Sequence, residues 1–434
     1  MSRDAVLSWG RYPRQSHHVE RLWDRHRPLP NFERFVLPFG NGRSYGDVCL
    51  NDAGVLLATR RMDRYMDFDP IGGSLTCESG VLLKEILDLI VPQGWFLPIT
   101  PGTKYVTVGG AVANDVHGKN HHRLGSFGHC VRRLELLRSD GSRIVCSSQQ
   151  NQEWFRSTVG GLGLTGLITW VEISLRPVAN AYMVGDTQRF FSLAEFFALS
   201  SQSERDYEYT VAWIDCADVY GRGRGLLMRA NHAPADERRG ASSSRRVLRV
   251  PFTPPIAIVN RLTLPLFNRA YFWKARTDAG HSQIHYDLFF YPLDAILEWN
   301  RLYGPKGFLQ YQCIVPPDSA ELAVGELLRL IAKHKAGSFL AVLKMFGTTS
   351  SIGMMSFPRP GTTLALDFPL HGIQTFALLN NLDRVVIEAG GAVYPAKDAR
   401  MGREIFRSGF PAAEAFAEFI DPKFSSSFWR RVAQ

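Results

Sequence analysis

Three stretches of the 434-residue chain combine closely spaced glycines with polar or basic side chains. They are FGNGRSYGDVCLN (39–51), PGTKYVTVGGAVANDVHGKNHH (101–122) and VGGLGLTG (159–166). Glycine lets the backbone turn tightly or approach a ligand, and successive amides in such turns form concavities that bind anions. Arg43, His117 and Lys119 add positive or ionisable groups. One such stretch is usually only a turn, but three together indicate a bound cofactor that carries phosphate.

The third stretch contains Gly161, Gly163 and Gly166 in the spacing G-x-G-x-x-G, which resembles a dinucleotide fingerprint. That motif has its meaning only where a strand precedes it and a helix follows, because the helix N-terminus holds the pyrophosphate. Here the next residues are LITWVEISLRPV, whose β-branched and aromatic residues alternate with a period of two. This pattern predicts a strand, so we reject a Rossmann-type nicotinamide site.

His117, His121 and His122 raise the possibility of a metal site, since the first two are four residues apart. Gly118 and Asn120 lie between them, and no carboxylate completes an H-E-x-x-H pattern. We therefore predict no metal and place His121 and His122 on a surface loop. The six cysteines contain no C-x-x-C pair and are predicted to be reduced thiols.

Composition predicts a two-domain globular enzyme, since 434 residues exceed one ordinary core and 45% of them are apolar. No apolar run is long enough to span a bilayer, and the N-terminus has no apolar signal-peptide core. We expect a cytoplasmic protein or one held peripherally on the inner membrane.

The net charge of +9 is not evenly spread: ERRGASSSRRVLRV (237–250) carries five arginines against one acid and precedes the apolar, aromatic segment 251–273. A basic stretch of this kind is compatible with a nucleic-acid arm, a membrane-surface patch or a solvated loop. Cations followed by aromatic residues suit a lipid headgroup interface, which we weigh equally with a simple internal hairpin. The prolines at 251, 254, 255 and 265 argue against one continuous helix.

The elements that must position these groups differ between the two halves of the chain. VLLKEILDLIVPQG (81–94) predicts an amphipathic helix that stops at Pro92 and Gly94, and LELLRSDGSRIVC predicts a hairpin turning at Asp140 and Gly141. In the second half, SAELAVGELLRLIAKHKAGS and IQTFALLNNLDRVVIEAGG predict two long helices between the strands GFLQYQCIVP and TTLALDFPL. This alternation favours an α+β domain with an antiparallel sheet covered on one face.

GNGRSYGD, PGTKYVTVGGAVANDVHGKN and TVGGLGLTG resemble the FAD-binding domain of the vanillyl-alcohol-oxidase (PCMH-type) family. EWNRLYGPKGFLQYQ, LKMFG, LALDFP and YPAKDAR are similar to the decaprenylphosphoryl-β-D-ribose 2′-oxidases within it, so the resemblance extends from about 36 to 434. It implies a two-domain α+β fold with an antiparallel-sheet substrate domain. The implied boundaries are 1–178 for the FAD-binding domain, 179–391 for the substrate-binding domain and 392–434 for a C-terminal segment that returns to the first.

The resemblance also implies which residues line the FAD. The first loop would wrap the pyrophosphate, the second would line the cofactor, and the third would close the adenine side. These residues are Gly40, Asn41, Gly42, Arg43, Ser44, Tyr45, Gly46, Gly102, Thr103, Thr107, Val108, Gly109, Gly110, Asn114, His117, Gly118, Gly161, Gly163, Gly166 and Leu167. Many relatives carry in the first loop a histidine that bonds to the flavin, whereas this chain has Tyr45, which implies noncovalent FAD.

The resemblance places Lys397 near the flavin as a catalytic group, with His117 as a competing base. Without it, Lys397 would be interpreted as a surface lysine paired with Asp398. Lys344, inside an apolar strand, is expected to meet an anion, and Gln310 and Gln312 share one strand face where they can bind sugar hydroxyls. The remaining implied substrate contacts are Lys119, Ala365, where mycobacterial members have cysteine, and Phe290 or, with a shift of one, Tyr291.

The implied activity is FAD-dependent oxidation of the 2-hydroxyl of a polyprenylphosphoryl-β-D-ribose, the first half of an epimerisation to the arabinose form used in cell-envelope glycans. The implied partners are an NAD(P)H-dependent keto-reductase and a membrane surface, with no nucleic acid. A soluble sugar, aldonolactone or alditol is the alternative substrate, although it gives no reason for the basic and apolar segment 237–273. A flavin-free membrane or nucleic-acid binding protein is the third hypothesis.

Overall fold

The computed structural model describes residues 6–218, 223–235, 247–255, 257, 263–275, 277 and 282–433. Helices and antiparallel sheets are both extensive, which confirms the predicted α+β class.

The first part of the chain forms short strands with four short helices between them. The strands are β1 (His18–Arg21), β2 (Val36–Phe39), β3 (Val55–Ala58), β4 (Tyr65–Asp69), β5 (Ser74–Glu78), β6 (Trp95–Phe96), β7 (Val131–Leu137), β8 (Arg143–Ser147), β9 (Leu167–Ser174) and β10 (Arg176–Pro177). The helices are α1 (Leu83–Ile90), α2 (Val108–Ala113), α3 (His121–Leu124) and α4 (Gln152–Thr158).

Longer elements follow. The strands are β11 (Tyr182–Phe190), β12 (Tyr209–Ile214), β13 (Gly225–His232), β14 (Leu248–Arg249), β15 (Ser282–His285), β16 (Ile296–Leu297), β17 (Phe308–Val315), β18 (Val342–Phe346), β19 (Gly361–Pro369) and β20 (Ala392–Val393). The helices are α5 (Leu193–Asp206), α6 (Thr263–Lys274), α7 (Tyr286–Phe290), α8 (Ala320–Lys333), α9 (Ile373–Glu388), α10 (Arg403–Gly409), α11 (Ala413–Ala417) and α12 (Ser427–Ala433).

Three sheets build the first part of the molecule: a three-stranded parallel sheet β1-β3-β2, a five-stranded antiparallel sheet β4-β5-β9-β7-β8 and a two-stranded antiparallel sheet β6-β10. The predicted hairpin is confirmed as β7 and β8, joined through Gly141. The strand predicted after the third glycine stretch is confirmed as β9, which begins at Leu167 directly after Gly166. No helix opens there, in agreement with the rejection of a Rossmann site.

Helix α1 forms where it was predicted, because Leu83, Ile86, Leu87 and Ile90 recur at helical spacing and are all buried. A short 3-10 turn (Val91–Gln93) ends it, and Gly94 follows with a left-handed φ of +80°.

An eight-stranded antiparallel sheet, in the order β15-β11-β13-β12-β18-β19-β17-β20, dominates the second part of the chain. Helices α8 and α9 form where they were predicted, and together with α5 they bury one face of the sheet. In β17 the residues Leu309, Tyr311 and Cys313 join that apolar core. Because side chains alternate along a strand, Gln310 and Gln312 point to the opposite face.

The segment that follows α9 connects the two parts of the molecule. Strand β20 pairs with β17 at the edge of the large sheet, while Phe424 forms an isolated bridge with Val36 of β2. Arg431 of α12 forms ion pairs with Asp47 and Asp398.

The basic and apolar segment is only partly described. Residues 236–246, which hold most of the arginine run, lie outside the described residues. Residues 251–255 are not helical and α6 begins at Thr263, so the prediction that the prolines prevent one continuous helix is confirmed. None of the helices in the described parts of the chain is sufficiently long and apolar to cross a bilayer.

Candidate active site

A cavity of about 350 Å³ lies where the three glycine stretches meet the free face of the eight-stranded sheet. Most of the residues predicted from the sequence line it. From the predicted cofactor set these are Gly40, Asn41, Gly42, Arg43, Ser44, Tyr45, Gly102, Thr103, Thr107, Gly109, Gly110, Asn114, His117, Gly163, Gly166 and Leu167. From the predicted catalytic and substrate sets they are Lys397, Gln310, Gln312, Lys344 and Ala365.

Four residues of the predicted cofactor set lie behind the cavity wall. Val108 is the first residue of α2, and its side chain is buried in the core. A Cβ at Gly46 would come within 1.8 Å of the Asp398 carbonyl oxygen, and one at Gly161 within 2.1 Å of the Ser157 carbonyl oxygen. The carbonyl of Gly118 accepts a hydrogen bond from Lys344 at 3.3 Å. These positions shape the loops through backbone packing.

Lys119, Phe290 and Tyr291 also do not line this cavity. The Lys119 ammonium donates to the Phe289 carbonyl, and burial lowers its pKa to about 7. Phe290 and Tyr291 belong to the core of the first part of the molecule, where the Tyr291 hydroxyl is 2.5 Å from that of Thr100. The substrate contacts predicted for these three side chains therefore stay predictions.

The first glycine loop is fixed so that its backbone and one cation face the cavity. Gly42 has a left-handed φ of +60°, which favours glycine, and the Asn41 amide donates to the Tyr105 carbonyl at 2.7 Å. The Arg43 guanidinium lies 4.2 Å from the centroid of the Trp9 ring. Stacking on an aromatic face leaves the edge of a guanidinium free to bind an anion.

The second loop is held by hydroxyl groups. Thr107 caps α2, because its hydroxyl accepts a hydrogen bond from the Gly110 amide at 3.2 Å. Thr103 donates to Asp294 at 2.7 Å, and the Lys104 amide donates to the same carboxylate at 2.9 Å. These bonds tie the loop to a residue of the second part of the chain.

The Lys397 side chain enters the cavity next to the first loop. Its ammonium lies 3.9 Å from the centroid of the Tyr45 ring. Asp398 is instead engaged by Arg431 at 3.0 Å, which excludes the surface pair of Lys397 with Asp398. Burial lowers the pKa of Lys397, and the negative charge of Asp367 opposes that shift.

His117 stands at the centre of a directional hydrogen-bond chain. The Thr363 hydroxyl donates to the Cys313 carbonyl at 2.8 Å and so accepts from the Gln312 amide at 3.2 Å. That amide also lies 3.0 Å from His117 Nε2, and Lys344 Nζ lies 3.2 Å from His117 Nδ1.

With the Gln312 amide donating to Nε2, the ring proton of His117 resides on Nδ1 and is donated to Lys344. This arrangement needs a neutral Lys344 amine. Burial, assisted by the charges of Lys119 and Lys397, lowers the Lys344 pKa to about 7. Burial is the largest cause that holds the pKa of His117 well below its ordinary 6.5, so the imidazole is neutral.

The surface position expected for His121 and His122 is wrong. His121 is 1% exposed, and its ring stacks on Phe346 with the centroids 4.1 Å apart. His122 is part-buried and lies 3.1 Å from the Tyr207 carbonyl. The sequence alone suggested a loop, whereas α3 turns these rings against the large sheet. No group of three potential ligands is arranged to hold a metal ion in the described parts of the chain.

Sequence reasoning missed several residues of the cavity wall, among them Asp367, Asp294 and Tyr394. Asp367 left a signal, because a carboxylate in the apolar strand LALDFP is rarely buried without a function. Asp294 has no such signal in the sequence, because its position depends on long-range packing against the second loop. The Tyr394 hydroxyl donates to the Asn114 carbonyl at 2.8 Å.

Residues 17–147 match a family model described as an FAD binding domain. The chain is 35% identical to a decaprenylphosphoryl-β-D-ribose oxidase of Mycolicibacterium smegmatis over 92% of this chain and 89% of that protein. It is 32% identical to an uncharacterised protein of Streptomyces coelicolor over 81% of this chain and the whole of that protein. L-gulonolactone oxidase of Mus musculus is 29% identical over 32% of this chain and 31% of that protein.

The cavity wall fits a flavin dinucleotide of the kind these comparisons imply. Ser79 Oγ and Asn114 Oδ1 are buried in the wall without a hydrogen-bond partner among the described residues, and such groups require a ligand or water. Arg43 is largely buried and forms no ion pair with a carboxylate of the described chain, which leaves it for a phosphate. Gly109 and Gly110 present bare backbone to the same space.

Proposed function

The chain belongs to the decaprenylphosphoryl-β-D-ribose oxidase family of FAD-dependent oxidoreductases, which act on a hydroxyl group, and from this membership we propose its substrate. We propose that it oxidises the 2-hydroxyl of a polyprenylphosphoryl-β-D-ribose to the 2-keto sugar. The activity for which the Mycolicibacterium smegmatis relative is named supports this substrate. The cavity supports it too, because it joins the predicted cofactor-binding loops to a strand face that carries amide groups.

The observation that carries the proposal is the position of Lys397, a part-buried amine in the cavity wall beside the predicted cofactor-binding loop. Oxidation of an alcohol removes a hydride from carbon and a proton from oxygen. FAD, held by the glycine loops, would supply the hydride acceptor. Lys397 takes the hydroxyl proton, since burial lowers its pKa and increases the fraction of neutral amine.

In this proposal His117 orients its two hydrogen-bonded neighbours and does not act as the base. Gln312 occupies its Nε2 and Lys344 its Nδ1, so neither ring nitrogen is free to accept a proton from substrate. Both neighbours line the cavity. The chain from Thr363 to Lys344 therefore orients an amide and an amine towards the sugar.

Gln310, Gln312 and Lys344 are the proposed sugar contacts, and Ala365 lies among them on the same sheet face. We further propose that FAD is bound noncovalently, because Tyr45 offers a phenol in the loop where linked relatives have an imidazole. The division into a cofactor domain over 1–178, a substrate domain over 179–391 and a returning segment over 392–434 is also part of the proposal.

The exposed face of α6 supports a peripheral membrane position. Leu266 is 72%, Trp273 55% and Phe267 48% exposed, while Leu264, Asn268 and Phe272 bury the opposite face. Phe252, 67% exposed, precedes the helix. Aromatic residues next to a basic segment suit an anionic headgroup interface, so we place the enzyme at the cytoplasmic surface of the inner membrane. There a lipid-linked keto product would pass to an NAD(P)H-dependent reductase that completes the epimerisation.

A free sugar, aldonolactone or alditol is the alternative substrate. The similarity to L-gulonolactone oxidase favours it but spans only 32% of this chain. The decisive experiment mixes the purified flavoprotein anaerobically with polyprenylphosphoryl ribose and follows flavin absorbance. We expect rapid bleaching with this substrate and none with free ribose or gulonolactone; bleaching by a free sugar alone would favour the alternative.

A further inference from the structure

Asp367 is a carboxylate in the cavity wall that has no role so far in the proposed oxidation. It lies in β19, is 0% exposed and pairs in register with Gln310 of β17. The Gln310 amide donates to Asp367 Oδ1 at 2.5 Å, and the Asp367 amide donates to the Ser338 hydroxyl at 3.1 Å. The carboxylate is therefore held in one orientation.

The second carboxylate oxygen is unsatisfied. Asp367 Oδ2 accepts no hydrogen bond from a described residue, and the buried Tyr303 hydroxyl faces the carboxylate without reaching hydrogen-bond geometry. No described cation is close enough to form an ion pair with it, and Lys397 is the cation whose charge acts on it. A buried charge without a partner is costly, so its retention suggests a partner charge that appears during the reaction.

We propose that Asp367 is a positioning residue that stabilises the ammonium formed when Lys397 accepts the substrate's hydroxyl proton, and that it thereby makes Lys397 a stronger base. The inference rests on the proposed role of Lys397. In the step concerned, the O–H bond breaks and its proton goes to the Lys397 amine. The C–H bond breaks with its electron pair passing as hydride to FAD, and the second C–O bond forms.

The charges around Lys397 agree with this assignment. The ionisable groups around it lie on two strands, two glycine loops and a 3-10 turn of the large-sheet half. They are Asp367, Lys344, Tyr45, His117 and, beyond Asp367, Tyr303. Asp367 alone contributes negative charge, since burial holds the tyrosines in their neutral forms. Burial raises the pKa of Asp367 and Lys397 lowers it, so each group favours the charged form of the other.

The test compares Asp367→Asn with the wild-type flavoprotein by two readouts. Competitive acylation followed by mass spectrometry measures the protonation of Lys397 without any turnover. We expect the acylation profile of Lys397 to move to lower pH by about one unit, because the anion that favours the ammonium is gone. Single-turnover flavin reduction should slow by roughly tenfold in its plateau, because the amine is a weaker base.

Controls separate this effect from a general loss of structure. Asp383→Asn removes another largely buried carboxylate, which is paired with Arg400 at 2.7 Å outside the cavity, and should leave the Lys397 profile unchanged. Asp367→Ala opens space for a small carboxylate, so added formate should restore part of its flavin reduction. Flavin content and Tm are recorded for every variant.

An unchanged acylation profile in Asp367→Asn, or an Asp367→Ala variant that formate does not rescue, would overturn the inference. Lys397→Ala is measured in parallel. If that variant loses flavin reduction while Asp367→Asn matches the wild type, only the role of Asp367 fails. If Lys397→Ala reduces its flavin normally, the proposed base itself is wrong.

Discussion

The ammonium of Lys397 lies 3.9 Å from the centroid of the Tyr45 ring, which brings a residue of the C-terminal segment onto the first glycine loop. The two residues are far apart in sequence. The contact places the proposed base beside the loop that would wrap the cofactor.

Tyr45 predicts that FAD is released when the protein unfolds. The loop offers no imidazole that could bond to the flavin, and burial keeps the phenol neutral by raising its pKa well above 10.0. Acid or heat precipitation should leave the yellow flavin in the supernatant, measured by absorbance in roughly equimolar amount to the chain. Flavin retained by the washed precipitate would contradict noncovalent binding.

Lys397→Ala should keep its FAD and lose substrate-driven flavin reduction by about 10²–10⁴-fold. The reason is that the glycine loops, and not this side chain, hold most of the cofactor, while the hydroxyl proton loses its acceptor. Stopped-flow spectroscopy under anaerobic conditions measures the rate, with flavin content checked first. His117→Ala is the matched comparison: normal reduction in Lys397→Ala together with loss in His117→Ala would transfer the role of base to His117.

The rate of flavin reduction should rise with pH and reach a plateau. The active form of Lys397 is the neutral amine, and burial moves its pKa below the ordinary 10.5. A lowered pKa means that the proton is lost at lower pH. The rate of flavin reduction should therefore rise at a lower pH than the titration of a free lysine would give. This pH-dependent rise of the rate should be absent in Lys397→Ala. His117 cannot supply it near neutral pH, because its pKa lies well below 6.5.

The exposed face of α6 and the arginine run should bind anionic membranes together. Replacing the arginines within 237–250 by glutamine should weaken binding to anionic vesicles by about 1 kcal/mol for each residue near the surface. Phe267→Ser with Trp273→Ser should weaken binding to neutral vesicles as well, because it removes apolar contacts. Vesicle co-sedimentation at low and high salt measures both. Equal binding by wild type and variants, with FAD retained, would argue against the membrane position.

Arg431→Ala should lower both stability and FAD occupancy. Arg431 pairs with Asp47 and Asp398, whose side chains are each 4% exposed, so its loss leaves two buried carboxylates without a cation. Backbone amides still donate to Asp398, whereas Asp47 loses its two hydrogen bonds from the guanidinium. We expect a loss of about 3 kcal/mol in the free energy of unfolding, at the low end for a buried pair because Arg431 is partly exposed. Thermal melts and flavin content measure it, and Arg329→Ala, which breaks an exposed pair with Glu326, is the control.

The local sequence pattern was sufficient to predict the helices and strands named above and the glycine loops that line the cavity. The spacing of Leu83, Ile86 and Ile90 defined α1, and the alternation after Gly166 defined β9. Such signals depend only on neighbours in the chain. The role proposed for Gln312 came from the alternation along its strand. The role proposed for Lys397 came from the family resemblance, since nothing in its local sequence distinguishes it from a surface lysine.

What could not be predicted depends on contacts distant in sequence. His121 resembles a loop residue until Phe346 is placed against it, 225 positions later in the chain. Asp294 enters the site only through Thr103 and Lys104. Lys119 sits in the most informative motif of the sequence, yet a carbonyl of α7 draws its ammonium away from the large cavity.

The ion pairs of Arg431 also determine when the site can be completed. Its guanidinium reaches Asp47, 384 residues earlier, and Asp398 beside the proposed base. Because a chain emerges from the ribosome from its N-terminus and its early domains fold first, the first glycine loop is made long before the group that secures it. The cofactor-binding half can thus acquire its sheets during translation, whereas stable flavin capture must await the synthesis of α12.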